Sequence, residues 1–131
     1  MKIDITASGI VINDQDIKLP CLLGMMIRVM GRPSRIDERN FSQVITWDTL
    51  GIYANSKNGN MVDSLYLLLA QGEEHNFPFL PETIFNGDYT IEGKPYKERN
   101  IVKQEQIGNY NIYNWMDAKE EIIYSTAISL V

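Results

Sequence analysis

The chain has 131 residues, of which 44% are hydrophobic and 22% charged, and its formal net charge is −5. This length allows one domain with its own core, and the composition excludes wholesale disorder. The acidity argues against nucleic acid or anionic membrane as a partner, because phosphate binding depends on Lys and Arg. It is compatible with a basic protein partner, although solubility alone is the commoner reason for mild acidity.

Cys21 is the only cysteine, so no internal disulfide can form, and its apolar surroundings indicate a small buried hydrophobic residue. The start of the chain, MKIDITASG, alternates in polarity and lacks the apolar segment of a secretory signal. No window approaches the roughly 18 uninterrupted apolar residues of a membrane span. We therefore expect a cytoplasmic protein, the alternative being that a presequence was removed.

Residues 2–19 predict a strand hairpin. Ile3 and Ile5 alternate with polar neighbours, which is the period of a half-buried strand, and the run 10–12 continues an extended course. The run NDQD at 13–16 predicts a turn, since Asn and Asp tolerate left-handed backbone. Residues 17–19 predict the returning strand.

Residues 20–30 predict a helix. Pro20 suits its first turn, where a missing N–H costs nothing. Gly31 and Pro33 predict its end, because glycine favours a left-handed C-cap and proline cannot continue the helix. Apolar residues recur at three- and four-residue spacings, as in a stripe that faces a core: Leu22, Leu23, Met26, Ile27, Val29 and Met30.

Ser34 to Asn40 is charged around a single Ile36 and predicts a solvated loop. Strands are predicted at 42–47, 51–54 and 61–69, with a hairpin turn at Asn58-Gly59. The last of these strands is apolar on both faces, which indicates a central, covered position.

Residues 71–85 predict a loop, because Pro78 and Pro81 exclude regular structure there, and this loop holds the only histidine, His75. Beyond it, strands are predicted at 87–91, 111–115 and 122–130, with turns at Glu92-Gly93 and at 117–120. A short helix is predicted over 96–106.

These elements together predict an α+β fold, in which one curved antiparallel sheet carries one or two helices on one face, within a single domain 1–131. The order strand, turn, helix, hairpin occurs twice, and Ile112-Tyr113 follows Ile52-Tyr53 after 60 residues. This suggests two half-repeats, 1–70 and 86–131, joined by the loop 71–85. The alternative is that two hairpins match by accident.

The sequence shows no catalytic or cofactor signature. A nucleophile pair of Cys21 and His75 would require a thiol in the helical core to meet a proline-flanked loop. One histidine and one cysteine do not make a zinc site, and no glycine-rich phosphate-binding motif is present. The NDQD turn lacks the glycine and distal glutamate of a calcium loop. We therefore predict no catalytic residue, no metal and no cofactor.

A protein-binding surface has more support, because aromatic residues and arginine anchor interfaces. Large aromatic residues lie near the predicted turns and loops, although each one singly could also be a core residue: Trp47, Trp115, Tyr53, Tyr113, Phe77 and Phe79. The predicted partner-binding residues come from the charged span and the aromatic loop: Arg35, Asp37, Glu38, Arg39, Glu73, Glu74, His75 and Phe77.

Three segments, INDQDIKLP, MGRPSRIDERNFSQVITWDTLGIYANSKNGNMVDSLYLLL and FNGDYTIEGKPY, resemble a group of small bacterial proteins of uncharacterised function. The resemblance covers residues 9–96 and rests on the motifs Gly-x-Pro-Ser-Arg and Trp-Asp-x-Leu-Gly-Ile-Tyr. Similar small acidic proteins often serve as immunity proteins against bacterial toxins, and the resemblance carries over no catalytic residue. The matching positions are Gly31, Pro33, Ser34, Arg35, Trp47, Asp48, Gly51 and Ile52.

The first functional hypothesis is a non-enzymatic, cytoplasmic immunity protein that binds and neutralises a basic toxin domain. The second is a small enzyme or ligand-binding domain that uses the 71–85 loop as a lid and His75 as its acid–base group. The third is a subunit that associates with itself through a sheet edge.

Overall fold

The computed structural model describes residues 1–72 and 77–131. In chain order its elements are β1 (Lys2–Thr6), β2 (Gly9–Ile12), β3 (Gln15–Ile17), β4 (Cys21–Leu22), α1 (Leu23–Met30), β5 (Arg35–Arg39), β6 (Ser42–Trp47), β7 (Ile52–Ser56), β8 (Met61–Val62), β9 (Ser64–Leu68), β10 (Asp88–Ile91), β11 (Lys94–Pro95), a 3-10 turn (Tyr96–Glu98), β12 (Gln104–Ile107), β13 (Tyr110–Met116) and β14 (Ile123–Leu130).

Within these residues the strands form three sheets. The largest has seven antiparallel strands in the order β12-β13-β14-β9-β7-β6-β5. A five-stranded sheet has the order β11-β10-β1-β2-β3, in which β1 and β10 run parallel. A short pair, β4 and β8, completes the set.

The predicted α+β fold, with helices packed on one face of a single sheet, is wrong. Strands make up 49% and helices 9% of the residues that the structure describes, and these residues contain one α-helix. The predicted helical spacing is real, but α1 has only eight residues and buries only Met26 and Met30. A stripe this short cannot cover a sheet, so the two larger sheets supply most of the core.

The core is built by strand alternation in both large sheets. Across the seven-stranded sheet, one row of directly paired residues points into it: Ile45, Ala54, Leu65, Ile128 and Ile112. The five-stranded sheet contributes Ile3, Ile5, Ile10 and Ile12, which are all fully buried. Each large aliphatic side chain removed from water stabilises the fold by about 1.5–3 kcal/mol.

Several predicted turns and strands are confirmed. Asn13 and Asp14 have φ of 48° and 68° and join β2 to β3, so their tolerance of left-handed backbone is used. Gly31 has φ 85° and its N–H donates to the carbonyl of Ile27, which ends the helix as predicted. The predicted central strand is β9, which lies between β14 and β7.

Three local predictions are wrong. The predicted loop over 34–40 contains β5, an edge strand, because its charges lie at a sheet margin. The helix predicted over 96–106 is a 3-10 turn followed by β12, since its apolar residues are too sparse to form a buried helical stripe. The second half-repeat therefore lacks its helix. The helix predicted to begin at Pro20 begins only at Leu23, because residues 21–22 form the short strand β4, which pairs with β8.

Candidate functional site

A row of aromatic side chains crosses the face of the seven-stranded sheet that points away from the core. Tyr113 pairs with Ala127, Ala127 with Tyr66, and Tyr66 with Tyr53, so these residues lie side by side on four strands. Their immediate chain neighbours point into the core, which strand alternation requires. We call this surface the aromatic face; it consists of Tyr113, Trp115, Tyr66, Tyr53, Phe77, Phe79 and Arg39.

The rings of the aromatic face touch in sequence. Tyr53 and Tyr66 are stacked, with ring centroids 4.7 Å apart and an interplanar angle of 12°. Phe77 also stacks on Tyr53, with ring centroids 5.7 Å apart, and the ring of Trp115 lies 6.2 Å from that of Tyr66. Tyr113 meets Trp115 edge to face at 4.8 Å. Contacts of this kind add about 0.5–1.5 kcal/mol per pair beyond area burial, so the row is a preorganised surface.

Arg39 closes one end of the row. Its guanidinium carbon lies 5.3 Å from the ring centroid of Phe77 and 5.6 Å from that of Phe79. These distances are those of cation–π contacts. The edge strand β5 thereby meets the segment after residue 76, and two of the predicted partner-binding residues, Arg39 and Phe77, come together.

Exposure increases from the centre of the aromatic face to its other end. Tyr53 is only 5% exposed, whereas Tyr113 is 42% and Trp115 is 37% exposed. The hydroxyl of Tyr53 shares a hydrogen bond of 3.2 Å with Ser125. Burial raises the pKa of Tyr53 to about 12, because the phenolate would be desolvated. The buried centre therefore stays neutral even well above pH 7, whereas the side chains of Tyr113 and Trp115 at the other end are partly in contact with solvent.

A second cluster, the Asp48 junction, holds the segment 80–83 against the β6–β7 turn. The carboxylate of Asp48 accepts hydrogen bonds from Arg35 Nη2 at 3.2 Å and from the Glu82 N–H at 3.0 Å. Arg35 Nη2 also donates to the Leu80 carbonyl at 2.8 Å. The Thr83 hydroxyl donates to the backbone carbonyl of Asp48 at 2.6 Å. These bonds fix the segment 80–83, which directly follows Phe77 and Phe79 in the chain.

The two sequence motifs meet at this junction. The Asp48 N–H donates to Ser34 Oγ at 2.9 Å, and the indole N–H of Trp47 donates to the Gly31 carbonyl at 2.8 Å. Trp47 is 2% exposed, so it is a core residue. The residues of the two motifs thus form a structural junction, and this packing explains their spacing without a catalytic role.

The other predicted partner-binding residues are spread along β5 and beyond it. Arg35 is engaged in the Asp48 junction, and Asp37 lies 3.5 Å from Arg35 Nη1. Glu38 accepts a hydrogen bond from the Gln43 side chain at 3.2 Å. The remaining three, Glu73, Glu74 and His75, lie outside the described residues. Participation of all these residues in binding stays a prediction.

Sequence reasoning missed two residues that the structure makes prominent. Phe41 is 91% exposed at the tip of the β5–β6 hairpin. It was missed because residues 34–40 were predicted to be a loop, so no hairpin tip was expected at residue 41. Tyr66 is at the centre of the aromatic row, between Tyr53 and Trp115. Its position could be read from the alternation of the strand SLYLL, in which Tyr66 faces opposite to Leu65 and Leu67.

Little else in the described residues suggests chemistry. Cys21 is 5% exposed, and burial raises the pKa of its thiol to about 11, so it is protonated near pH 7. Among residues 1–72 and 77–131, no group of three His, Cys, Asp or Glu side chains could hold a metal ion. No described helix is long and apolar enough to cross a membrane.

Comparison with known proteins gives a family and little beyond it. A family model described as a domain of unknown function (DUF7738) matches residues 2–106. No curated protein matches the chain significantly. The crystal structure of a cysteine-rich secretory protein from Staphylococcus aureus is similar with a TM-score of 0.49 and 13% identity, over 86% of this chain and 44% of that one. The chain thus spans less than half of that protein, and the likeness carries no argument about function.

Proposed function

The chain belongs to the DUF7738 family of domains of unknown function, and we propose that it is a non-enzymatic immunity protein that neutralises a bacterial toxin in the cytoplasm by binding it. The observation that carries the proposal is the aromatic face, a continuous row of rings whose outer end is exposed. A toxin is proposed as the partner because the motifs resemble those of small bacterial proteins, and similar small acidic proteins often serve as immunity proteins.

The packing of the rings favours a protein partner over a base or a sugar. Ligands that stack need a free ring face, but Tyr53 is buried and already stacks with both Tyr66 and Phe77. The exposed end has a different geometry, since Tyr113 stands edge to face against Trp115. Such a surface suits apolar anchors of a folded partner, because rigid aromatic side chains lose little entropy on binding.

The row next to the aromatic face supplies small polar groups. Asn111 pairs with Ser129, Ser129 with Ser64, and Ser64 with Asn55, on the same side of the sheet. Aromatic anchors beside serine and asparagine are the composition of many protein-binding surfaces. The net charge of −5 suits a basic toxin domain, whose approach it would accelerate at low salt.

The test is co-expression with the product of the adjacent gene. We expect a complex on a sizing column and protection of cells from the toxicity of that product. The double variant Tyr113→Ala/Trp115→Ala should weaken the complex by about 2 kcal/mol or more, roughly 30-fold in Kd. The matched control is Ile122→Ala/Leu130→Ala, which also removes two exposed hydrophobic side chains but lies off the aromatic face. Its Kd should change less than about threefold.

Two outcomes would contradict the proposal. If the wild-type chain forms no complex and gives no protection, it is not an immunity protein for that toxin. If the control variant weakens binding as much as the aromatic variant, the aromatic face is not the binding surface. His75→Ala should leave protection unchanged, and loss of protection would instead favour a catalytic role for that side chain.

A further inference from the structure

The terminal strand β5 has the features of a strand that pairs with another chain. It ends the order of the seven-stranded sheet, and its five residues pair with β6 without a register shift. Among the described residues, no backbone hydrogen bond reaches its outer edge. Its sequence, RIDER, contains no lysine or proline, and although four of its five residues are charged, the charges are of both signs, so they disfavour a neutral strand but can pair with a strand of complementary charge. Its outer N–H and C=O groups are therefore available for a further strand.

The charges of β5 alternate in a way that fits a second copy of itself. In two antiparallel copies related by a two-fold axis normal to the sheet, facing side chains lie on the same side of the sheet. One residue of the strand must therefore face itself across the axis. Each choice of this central residue sets different charges opposite each other, so the sequence discriminates between the registers.

We propose that two copies of this chain pair through β5 with Ile36 opposite Ile36 of the second copy. This register places Arg35 opposite Asp37 of the second copy, twice, on either side of an apolar pair. A centre at Asp37 would set the two Asp37 carboxylates opposite each other and Arg35 opposite Arg39, which repel. A centre at Glu38 would set Asp37 opposite Arg39 twice, but it would also set the two Glu38 carboxylates opposite each other and Ile36 opposite Asn40. Direct cross-strand pairs of opposite charge stabilise a sheet, and like charges destabilise it.

The side chains around β5 are already placed for this contact. Ile36 is 47% exposed although its neighbour across the ladder, Ile45, is fully buried, so pairing extends the buried row by one position in each copy. Arg35 holds Asp48 and Leu80 through Nη2, whereas Nη1 makes only a 3.5 Å contact with Asp37. Arg35 thus remains anchored in its own chain while Nη1 faces a second carboxylate. The two seven-stranded sheets become one continuous sheet.

Sedimentation of the intact chain over a range of concentrations tests the association. We expect a monomer–dimer equilibrium, and Asp37→Arg should weaken it at least tenfold, since it sets a new positive charge opposite Arg35 of the second copy. Glu38→Arg is the matched control, because it makes the same charge change on the neighbouring residue, which faces Ser34 of the second copy. It should shift the equilibrium less than threefold. A chain that stays monomeric at every concentration overturns the proposal.

Cysteine substitution tests the register and does not depend on how charge variants fold. In the proposed register Ile36→Cys places two thiols across the axis at about 4.5–5.5 Å between Cα atoms, which a disulfide can span. Glu38→Cys places them four residues apart along the strand, at about 13 Å, which is out of reach. We expect oxidation to cross-link the first variant and not the second. Cross-linking of the second alone, or equally of both, refutes the register.

Discussion

The Asp48 junction makes a quantitative prediction about stability. Asp48→Asn keeps the size of the side chain and one oxygen for the Glu82 N–H, but it removes the negative charge that faces Arg35. The Asp48 side chain is 12% exposed and that of Arg35 is 34% exposed, so the pair is partly shielded from water. Loss of a hydrogen bond to a charged group costs about 1.5–3 kcal/mol. Because Arg35 is partly solvated, we expect about 1.5–2 kcal/mol.

The control for this variant is Glu120→Gln, which also replaces a carboxylate of an ion pair by an amide. Glu120 lies 3.1 Å from Lys103, but the two side chains are 56% and 68% exposed. Exposed pairs of this kind contribute at most about 1 kcal/mol, and often nothing measurable. The two variants therefore differ in burial and in partners, while the change of net charge is the same.

Urea unfolding gives the two free energies, and amide hydrogen exchange gives a local readout. In Asp48→Asn we expect faster exchange at Glu82 and Thr83, whose N–H groups both bond to Asp48. In Glu120→Gln exchange at these two amides should be unchanged. The reasoning is refuted if Asp48→Asn costs no more than Glu120→Gln, or if both amides keep their wild-type protection.

Three further outcomes follow from the structure. Gly51→Ala should destabilise the protein by about 3 kcal/mol or more in the urea assay, because φ at Gly51 is +69° and a Cβ there would clash with the backbone of Phe85. The control is Gly93→Ala: φ at Gly93 is +81°, but a Cβ there would meet open space, so this variant should cost only about 1 kcal/mol. The free energy of unfolding should fall at high pH, because burial raises the pKa of Tyr53 to about 12 in the folded protein, above that of an unfolded tyrosine. This contribution, at most about 2–3 kcal/mol, is fully present below about pH 10 and is lost between pH 10 and 12. Tyr53→Phe should reduce this loss in unfolding curves measured across the same pH range. The thiol of Cys21, with a pKa raised to about 11, should react with a thiol reagent only after unfolding, and rapid labelling of the folded chain at pH 8 would contradict its burial.

The strands of this fold could be predicted from local patterns, but their arrangement could not. Alternation around Ile3 and Ile5 gives period two, and a single buried face produces that period wherever the strand lies in the fold. The charged residues of β5 led to the wrong prediction of a loop. Edge strands and loops are both solvated, so the charged sequence RIDER is compatible with either. The predicted helix over 20–30 ended at the correct residue but began three residues too early, and its spacing does not show that the eight residues of α1 bury only two side chains.

The candidate site depends on long-range register, which no local pattern contains. Tyr53 and Tyr113 were singled out as aromatic residues at equivalent points of two hairpins. They come into one row only because β14 pairs with both β13 and β9, which sets Tyr66 and Ala127 between them. A shift of one residue in either pairing would turn the intervening side chains to the core. The Asp48 junction likewise joins residues far apart in the chain.

The position of β14 also has a consequence for the order in which the chain folds. Residues 123–130 lie between β13 and β9, and so they connect the strands β5 to β9 with the hairpin β12–β13. Until this segment has left the ribosome, β9 has an open edge and the row from Tyr53 to Tyr113 is interrupted. Contacts between such distant segments form slowly, because the loop between them must first be closed. The nascent chain is therefore expected to be most prone to aggregation immediately before β14 is inserted between β13 and β9.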